Sequence, residues 1–244
     1  MTKPQSAQPN MVLVSGWSFT RGMWQPLIDD LAQLDVPSAH ITTVDWLDLG
    51  RWLFCDAPCP VPPALLSGDV RWMGWSLGGS LLLEAIARQK ILPMQAIIVS
   101  ASPKFLANNT GQAPWPGIAV KNWRALRQHV QRDTAGALAQ FDAWLNLPPL
   151  TCRHRDAADL VLGLDWLAKI DQRASFHKVQ TPMVWVDGGQ DPLSPRTDEG
   201  LTWRACLGAP HAAFGVTLPE AGHNLPWSHR AVLIQWLLAA EKNK

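Results

Sequence analysis

RWMGWSLGGS, residues 71–80, sets a serine between a tryptophan and a leucine, with glycines two positions to either side. The run ends an apolar stretch that begins at Val70 and opens a helix-forming stretch from Leu77 to Arg88, so it predicts a strand, a sharp turn and a helix. A side chain at Gly74 or Gly78 would collide across so tight a turn, and the turning residue is held in a strained backbone conformation. Ser76 then presents its hydroxyl above the sheet. The amide of Leu77 lies at a helix N-terminus, where it favours a developing negative charge, and Gly79 lets that helix close on the sheet. A Gly-X-Ser-X-Gly match also arises by chance as a plain structural turn. The role of Ser76 therefore depends on whether a base and an acid stand at the right places in the rest of the chain.

Working outward, short apolar runs alternate with stretches of helical period, the pattern of an α/β fold with a mostly parallel sheet of about six strands flanked by helices. The runs are MVLVSG (11–16), ITTVDW (41–46), VRWMGW (70–75), QAIIVSA (95–101), PMVWVDG (182–188) and FGVTLPE (214–220). Trp24, Leu27, Ile28, Leu31 and Leu34 share one helical face, and Leu233, Trp236 and Leu237 share another in a last helix with Pro226 near its start. The proline-rich stretch from 46 to 69 reads as a loop with a short helix around Leu49 to Phe54. Residues 103–180 carry helix-like stretches at 119–131, 134–146 and 155–171 and no strand signal. They are expected to form a helical cap inserted into an α/β core made of residues 1–102 and 181–244.

In a strand–turn–helix nucleophile fold the partners follow in the order serine, acid, histidine. Of seven histidines, His223 in LPEAGHNLPW follows the last strand, on the side where catalytic loops gather. His211 precedes that strand, His229 falls in the final helix, and His129, His154 and His177 belong to the cap or its exit. The segment PMVWVDGGQDPLSP offers two acids. Asp191 lies beyond the strand's carboxyl end, with Pro192 and Pro195 stiffening its surroundings, and is preferred; Asp187 suits support of the turn and stays open as the alternative. The loop VLVSGWSFTRGMW after the first strand supplies a second oxyanion donor, the amide of Trp17, beside the permissive Gly16. The Trp17 indole is equally suited to lining a pocket or to packing.

Composition removes other function classes. A chain of 244 residues, 47% hydrophobic and 17% charged with a net charge of +1, is a globular protein of one domain with no global attraction to nucleic acid. The polar start MTKPQSAQPN and the absence of any apolar run of about 18 to 20 residues predict a cytoplasmic protein with no membrane partner. Cys55, Cys59, Cys152 and Cys206 are too scattered for a disulfide framework, and Cys55 with Cys59 lacks a second pair at ligand spacing. Neither metal nor cofactor is expected. Fourteen tryptophans and no tyrosine leave open whether the indoles line a pocket or fill the core.

Taken together, SGWSFTRGMW, WMGWSLGGSLL, IVSASPKFLANN followed by WPGI, FDAWL, GQDPLSP and AGHNLPWSH resemble the α/β-hydrolase superfamily over nearly the whole chain. Within it they are most similar to the pimeloyl-acyl-carrier-protein methyl ester esterases of biotin synthesis. The resemblance implies a catalytic triad of Ser76, Asp191 and His223, oxyanion amides at Trp17 and Leu77, and acyl-chain contacts from Phe141, Asp142, Ala143, Trp144 and Leu145. It implies a monomeric serine esterase whose partner is an acidic acyl carrier protein, and hence a basic surface near the pocket mouth. From Trp115 to Arg155 the chain carries Lys121, Arg124, Arg127, Arg132, Arg153 and Arg155 against Asp133 and Asp142, although Asp156 and Asp159 follow at once and a solvated helix face explains the excess equally well. Leu138, Phe141 and Leu145 share a helical face that can cover an acyl chain or simply pack the cap. The rival readings are a generalist carboxylesterase or thioesterase, a non-hydrolytic enzyme that reuses the triad as a base, and a ligand-binding homologue with a vestigial triad.

Overall fold

Uninterrupted apolar runs need both faces covered, and the chain meets that need with one six-stranded sheet in the order β2-β1-β3-β4-β5-β6. A computed structural model describes residues 9–108, 115–149, 151–175, 178–196, 203 and 213–239; Cys206, His177 and His211 lie outside the described residues. The strands are β1 (Asn10–Val14), β2 (Ile41–Val44), β3 (Ser67–Trp75), β4 (Leu92–Val99), β5 (Met183–Gly188) and β6 (Ala213–Leu218). Every pairing is parallel, from Val12 against Thr42 to Asp187 against Thr217.

Alternation along each strand divides the buried side chains between two layers. Val12, Val14, Trp72, Ile98 and Trp185 face one layer with α2 (Trp46–Phe54), α3 (Leu77–Ala87) and α6 (Ala157–Lys169). Met11, Leu13, Met73, Ile97 and Val184 face the other, covered by α1 (Gln25–Ala32) and α8 (Arg230–Leu238). The tryptophan question resolves toward the core: Trp24, Trp46, Trp72, Trp75, Trp166, Trp185 and Trp203 are fully buried.

Several element boundaries differ from the sequence reading, among them the start of β3 at Ser67, ahead of Val70. Helix α1 stops at Ala32 and the chain turns through Asp35 at φ 59°, which leaves Leu34 on the surface instead of on the buried face. Helix α2 begins at Trp46, three residues before Leu49, because Trp46, Leu49 and Leu53 together make a buried face. Strand β4 begins at Leu92, where Leu92 pairs with Ser67 across a register shift between Gly68 and Arg71.

Between β4 and β5 run α4 (Val120–Arg132), α5 (Thr134–Leu145) and α6. The Asp133 side chain accepts a hydrogen bond from the Gly136 amide at 2.9 Å, so one capping residue both ends α4 and starts α5. Asp156 caps α6 in the same way through the Asp159 amide at 3.0 Å. Helix α6 docks on α2 by Trp166, whose ring lies edge-on to Trp46 at 6.1 Å and stacks on Phe54 at 5.8 Å. Short helix α7 (Leu225–Ser228) leads into α8. The strand order reverses at β1, and the crevice above the carboxyl ends of β1 and β3 is where such sheets collect their ligands. Among the described residues no helix is long and apolar enough to cross a membrane, and no group of three or more His, Cys, Asp or Glu side chains is placed to hold a metal ion.

Candidate active site

The turn between β3 and α3 holds Ser76 at φ 56° and ψ −125°, a conformation that a non-glycine residue adopts only when its surroundings impose it. The Ser76 amide donates to the Val99 carbonyl at 2.8 Å, and the Ser80 amide donates back to the Ser76 carbonyl at 3.1 Å. The flanking glycines are required by space: a Cβ on Gly74 would lie 2.6 Å from the Gly78 carbonyl oxygen, and one on Gly78 would lie 2.3 Å from the Ser15 carbonyl oxygen. Backbone cannot yield there, so the serine is fixed by the two strands that flank its own.

His223 reaches this serine from the loop between β6 and α7. Its Nε2 lies 2.9 Å from Ser76 Oγ, and its Nδ1 lies 2.7 Å from Asp191 Oδ2. A carboxylate can only accept, so Nδ1 carries the hydrogen, and Nε2 is left free to accept from the serine hydroxyl. Asp191, in the loop after β5, is held in turn by the Leu193 amide, which donates to Oδ1 at 2.8 Å. Both His223 and Asp191 are buried, and the imidazole packs on Trp75, whose indole donates to the His223 carbonyl at 2.9 Å. Asp187, the alternative acid, is the last residue but one of β5 and pairs with Thr217; it is buried and lines the pocket, while the acid in contact with His223 is Asp191.

The loop after β1 enters the same space. Its Ser15 hydroxyl accepts from the Trp46 amide at 3.1 Å, and the Trp17 indole donates to the Leu160 carbonyl of α6 at 2.9 Å. Trp17 and Leu77 line, with Ser76 and His223, a narrow cavity of about 40 Å³. Both side chains are buried. A second, larger cavity of about 490 Å³ lies under α4 and α5. Phe105, Leu126, Phe141, Leu164 and Leu193 wall both spaces, so the outer cavity adjoins the chamber of the serine.

The five residues 141–145 scatter around their helix. Phe141 faces both cavities and Trp144, one turn on, faces the outer one. Asp142 turns to Arg153, Ala143 is exposed, and Leu145 is buried against the layer that holds Leu13 and Met73. Leu138 lines a separate groove with Asp142 and Arg153, so of the face Leu138–Phe141–Leu145 only Phe141 meets the cavities described.

The basic residues divide as well. Arg127 makes a two-pronged ion pair with Asp165 at 2.8 and 3.1 Å, which holds its guanidinium above the usual range. Arg153 points inward and pairs with Asp142; burial pulls its pKa down while Asp142 opposes the shift. Lys121, Arg124, Arg132 and Arg155 are exposed and make no ion pair among the described residues. The sequence reading did not single out Phe105, Leu126, Leu164 or Leu193 as cavity walls. Leu193 carried a signal in its position next to the acid loop, whereas Leu126 and Leu164 look like any apolar helix residue.

The chain is 28% identical over 237 residues to a pimeloyl-[acyl-carrier protein] methyl ester esterase of Xanthomonas oryzae pv. oryzae, covering 88% of each chain. It is 26% identical over 207 residues to an esterase of the same name from a Shewanella species, covering 77% of this chain and 75% of the relative. Among solved structures it superposes on an esterase from Exiguobacterium antarcticum with a TM-score of 0.71 at 14% identity, covering 93% of this chain and 91% of that one. It superposes on the enol-lactonase from Burkholderia xenovorans LB400 with a TM-score of 0.65 at 13% identity, over 96% and 91%. Residues 11–236 match the alpha/beta hydrolase family. With its parallel sheet and strained serine turn, the chain belongs to that family.

Proposed function

We propose that the protein is a serine carboxylic ester hydrolase and that its substrate is the methyl ester of a pimeloyl group carried on acyl carrier protein. The observation that carries the first part is the continuous chain Asp191–His223–Ser76, buried at its acid end and open to a cavity at its hydroxyl. Ser76 Oγ attacks the ester carbonyl carbon as His223 Nε2 takes its proton, and Asp191 stabilises the imidazolium that forms. The amides of Trp17 and Leu77 donate to the oxyanion. The tetrahedral adduct collapses, the C–O bond to the alcohol breaks, and His223 returns the proton so that methanol leaves. Water then attacks the acyl-serine by the same route, and a carboxylic acid departs with Ser76 regenerated. No step calls for a metal or cofactor.

The choice of substrate rests on the names of the relatives and on two features of the region between β4 and β5, which we read as a cap. Its cavity of about 490 Å³ is walled mostly by apolar residues, among them Phe105, Leu126, Phe141 and Trp144, and suits an acyl chain. Its exposed Lys121, Arg124, Arg132 and Arg155 offer positive charge to an acidic carrier protein. A monomer in the cytoplasm fits a substrate delivered by such a carrier.

Replacing Ser76 by Ala tests the chemistry. Ester hydrolysis is expected to fall by several orders of magnitude while the thermal transition stays in place, and a folded variant with near-normal turnover would overturn the assignment. Comparing the carrier-bound methyl ester with p-nitrophenyl acetate tests the substrate, as does complementation of a biotin auxotroph that lacks its esterase. Failure of both with p-nitrophenyl esterase activity intact would identify a generalist esterase.

A further inference from the structure

The segment that leaves α5 and leads to α6 touches the loop after β1 before it reaches the helix. Phe19 and Arg153 form an antiparallel bridge, with the Thr20 amide donating to the Cys152 carbonyl at 3.0 Å and the His154 amide to the Ser18 carbonyl at 2.7 Å. On this bridge the Arg153 side chain, 5% exposed, makes three contacts at once. It donates to Ser18 Oγ, pairs with Asp142 Oδ2 of α5 at 2.5 Å, and lays its guanidinium 3.5 Å from the centre of the Phe19 ring. A buried cation is retained only where such partners replace its water. The planar fork of arginine can hold two acceptors while its face rests on a ring, which lysine cannot do.

Two of those contacts are the residues that directly follow Trp17. Ser18 sits at φ 67°, a left-handed conformation that serine does not choose unaided. The Trp17 indole is held from the other side, by the Leu160 carbonyl and by the Phe141 ring at 5.0 Å. The Trp17 amide is therefore gripped between two attachments, both outside the sheet, one on α6 and one on the 151–155 segment.

We infer that Arg153 is a positioning residue for the oxyanion hole: by holding Ser18, Phe19 and Asp142 together it keeps the Trp17 amide aimed at the carbonyl oxygen of the substrate. Any displacement of α5 or of the 151–155 segment then misaims the donor and idles the enzyme, even with the triad intact. The inference rests on the proposed use of the Trp17 amide as an oxyanion donor. It assigns Arg153 an inward role in place of the carrier-protein contact expected from the sequence.

The test is Arg153→Lys, with Ser18→Ala as the milder variant that deletes one contact should the first fail to fold. Removing an oxyanion donor outright typically costs about a hundredfold to a thousandfold in kcat, so loosening one is expected to cost roughly tenfold to a hundredfold in Arg153→Lys and less in Ser18→Ala. With p-nitrophenyl butyrate, kcat should fall while KM stays within about twofold. The inhibition constant of butylboronic acid, whose tetrahedral serine adduct places a hydroxyl in the oxyanion hole, should rise by the same factor as kcat falls. Methylguanidine should restore part of the activity of Arg153→Ala. A folded Arg153→Lys with unchanged kcat and boronate affinity, or a loss confined to KM, would overturn the inference. Those results leave the esterase reading standing, because that reading fails only if Ser76→Ala remains active.

Discussion

Replacing Asp191 by Asn is the most discriminating single change, because the structure dictates which way the new amide must turn. Asp191 uses its two oxygens for different donors: Oδ1 accepts from the Leu193 amide at 2.8 Å and Oδ2 accepts from His223 Nδ1 at 2.7 Å. The Leu193 amide cannot accept a hydrogen, so the asparagine oxygen stays with it and the NH₂ faces His223. Nδ1 must then give up its hydrogen and accept, which moves the ring proton to Nε2, the atom 2.9 Å from Ser76 Oγ. A protonated Nε2 cannot take the serine proton. Loss of the correct tautomer at intact geometry costs about 10⁴-fold in kcat, close to 5.4 kcal/mol of transition-state stabilisation. Asn and Asp are nearly isosteric and both hydrogen bonds survive, so the thermal midpoint should move little. The assay is steady-state hydrolysis of p-nitrophenyl butyrate at pH 7.5, paired with a melting curve. Retention of activity within about tenfold of the parent would refute the reasoning, and so would an equal loss in Asp187→Asn with Asp191→Asn unaffected.

Phe141→Ala should merge the two cavities that its ring helps to wall, raising the kcat/KM ratio of octanoate to acetate p-nitrophenyl esters by about tenfold; an unchanged ratio would remove Phe141 from chain selection. Asp171 provides a test by pH: partial burial works to raise its pKa, but hydrogen bonds from Arg173 and Lys104 and their charges outweigh it and bring the value from 3.8 to about 2. A carboxyl whose folded pKa is depressed stabilises the fold above its unfolded pKa and loses that contribution as pH falls through the folded one. The melting temperature of Asp171→Asn should therefore lie below the parent's at pH 6, with the gap narrowing from about pH 4 and closing near pH 2; a gap that stays constant over this range would show that the ion pairs contribute nothing.

The sheet was legible because buried parallel strands leave uninterrupted apolar runs, and the serine turn because its glycines are demanded by backbone contacts within a few residues. The meeting of Ser76, Asp191 and His223 could be anticipated from loop position alone, since each follows the carboxyl end of a strand in β3, β5 and β6. The helical stretches between β4 and β5 were visible in period, but the directions of their side chains were not. FDAWL is contiguous in sequence, yet 3.6 residues per turn sends Phe141 and Trp144 to the cavities, Asp142 to Arg153, and Leu145 to the core. The arginines posed the same difficulty. Arg127 is taken up by Asp165, 38 residues away, and Arg153 by Asp142 and the Ser18 loop, pairings that a local charge count does not reveal. Leu34 was misplaced because a left-handed turn at Asp35 ends the helix without a glycine to announce it.

The hydrogen bond between His223 and Ser76 joins residues 147 positions apart, and the Trp75 indole ties the same two regions through the His223 carbonyl. The Arg71 guanidinium, in the middle of β3, is bound to the carbonyls of Leu237 and Ala239. The segment from His223 to Ala239 thus clasps a strand formed in the first third of the chain, across a loop whose closure is entropically costly. A ribosome must release the chain as far as His223 before these partners can meet. Nascent fragments can bury their first strands as they emerge, but the nucleophile has no base until His223 arrives, so a fragment that stops short of it carries a serine that is chemically silent.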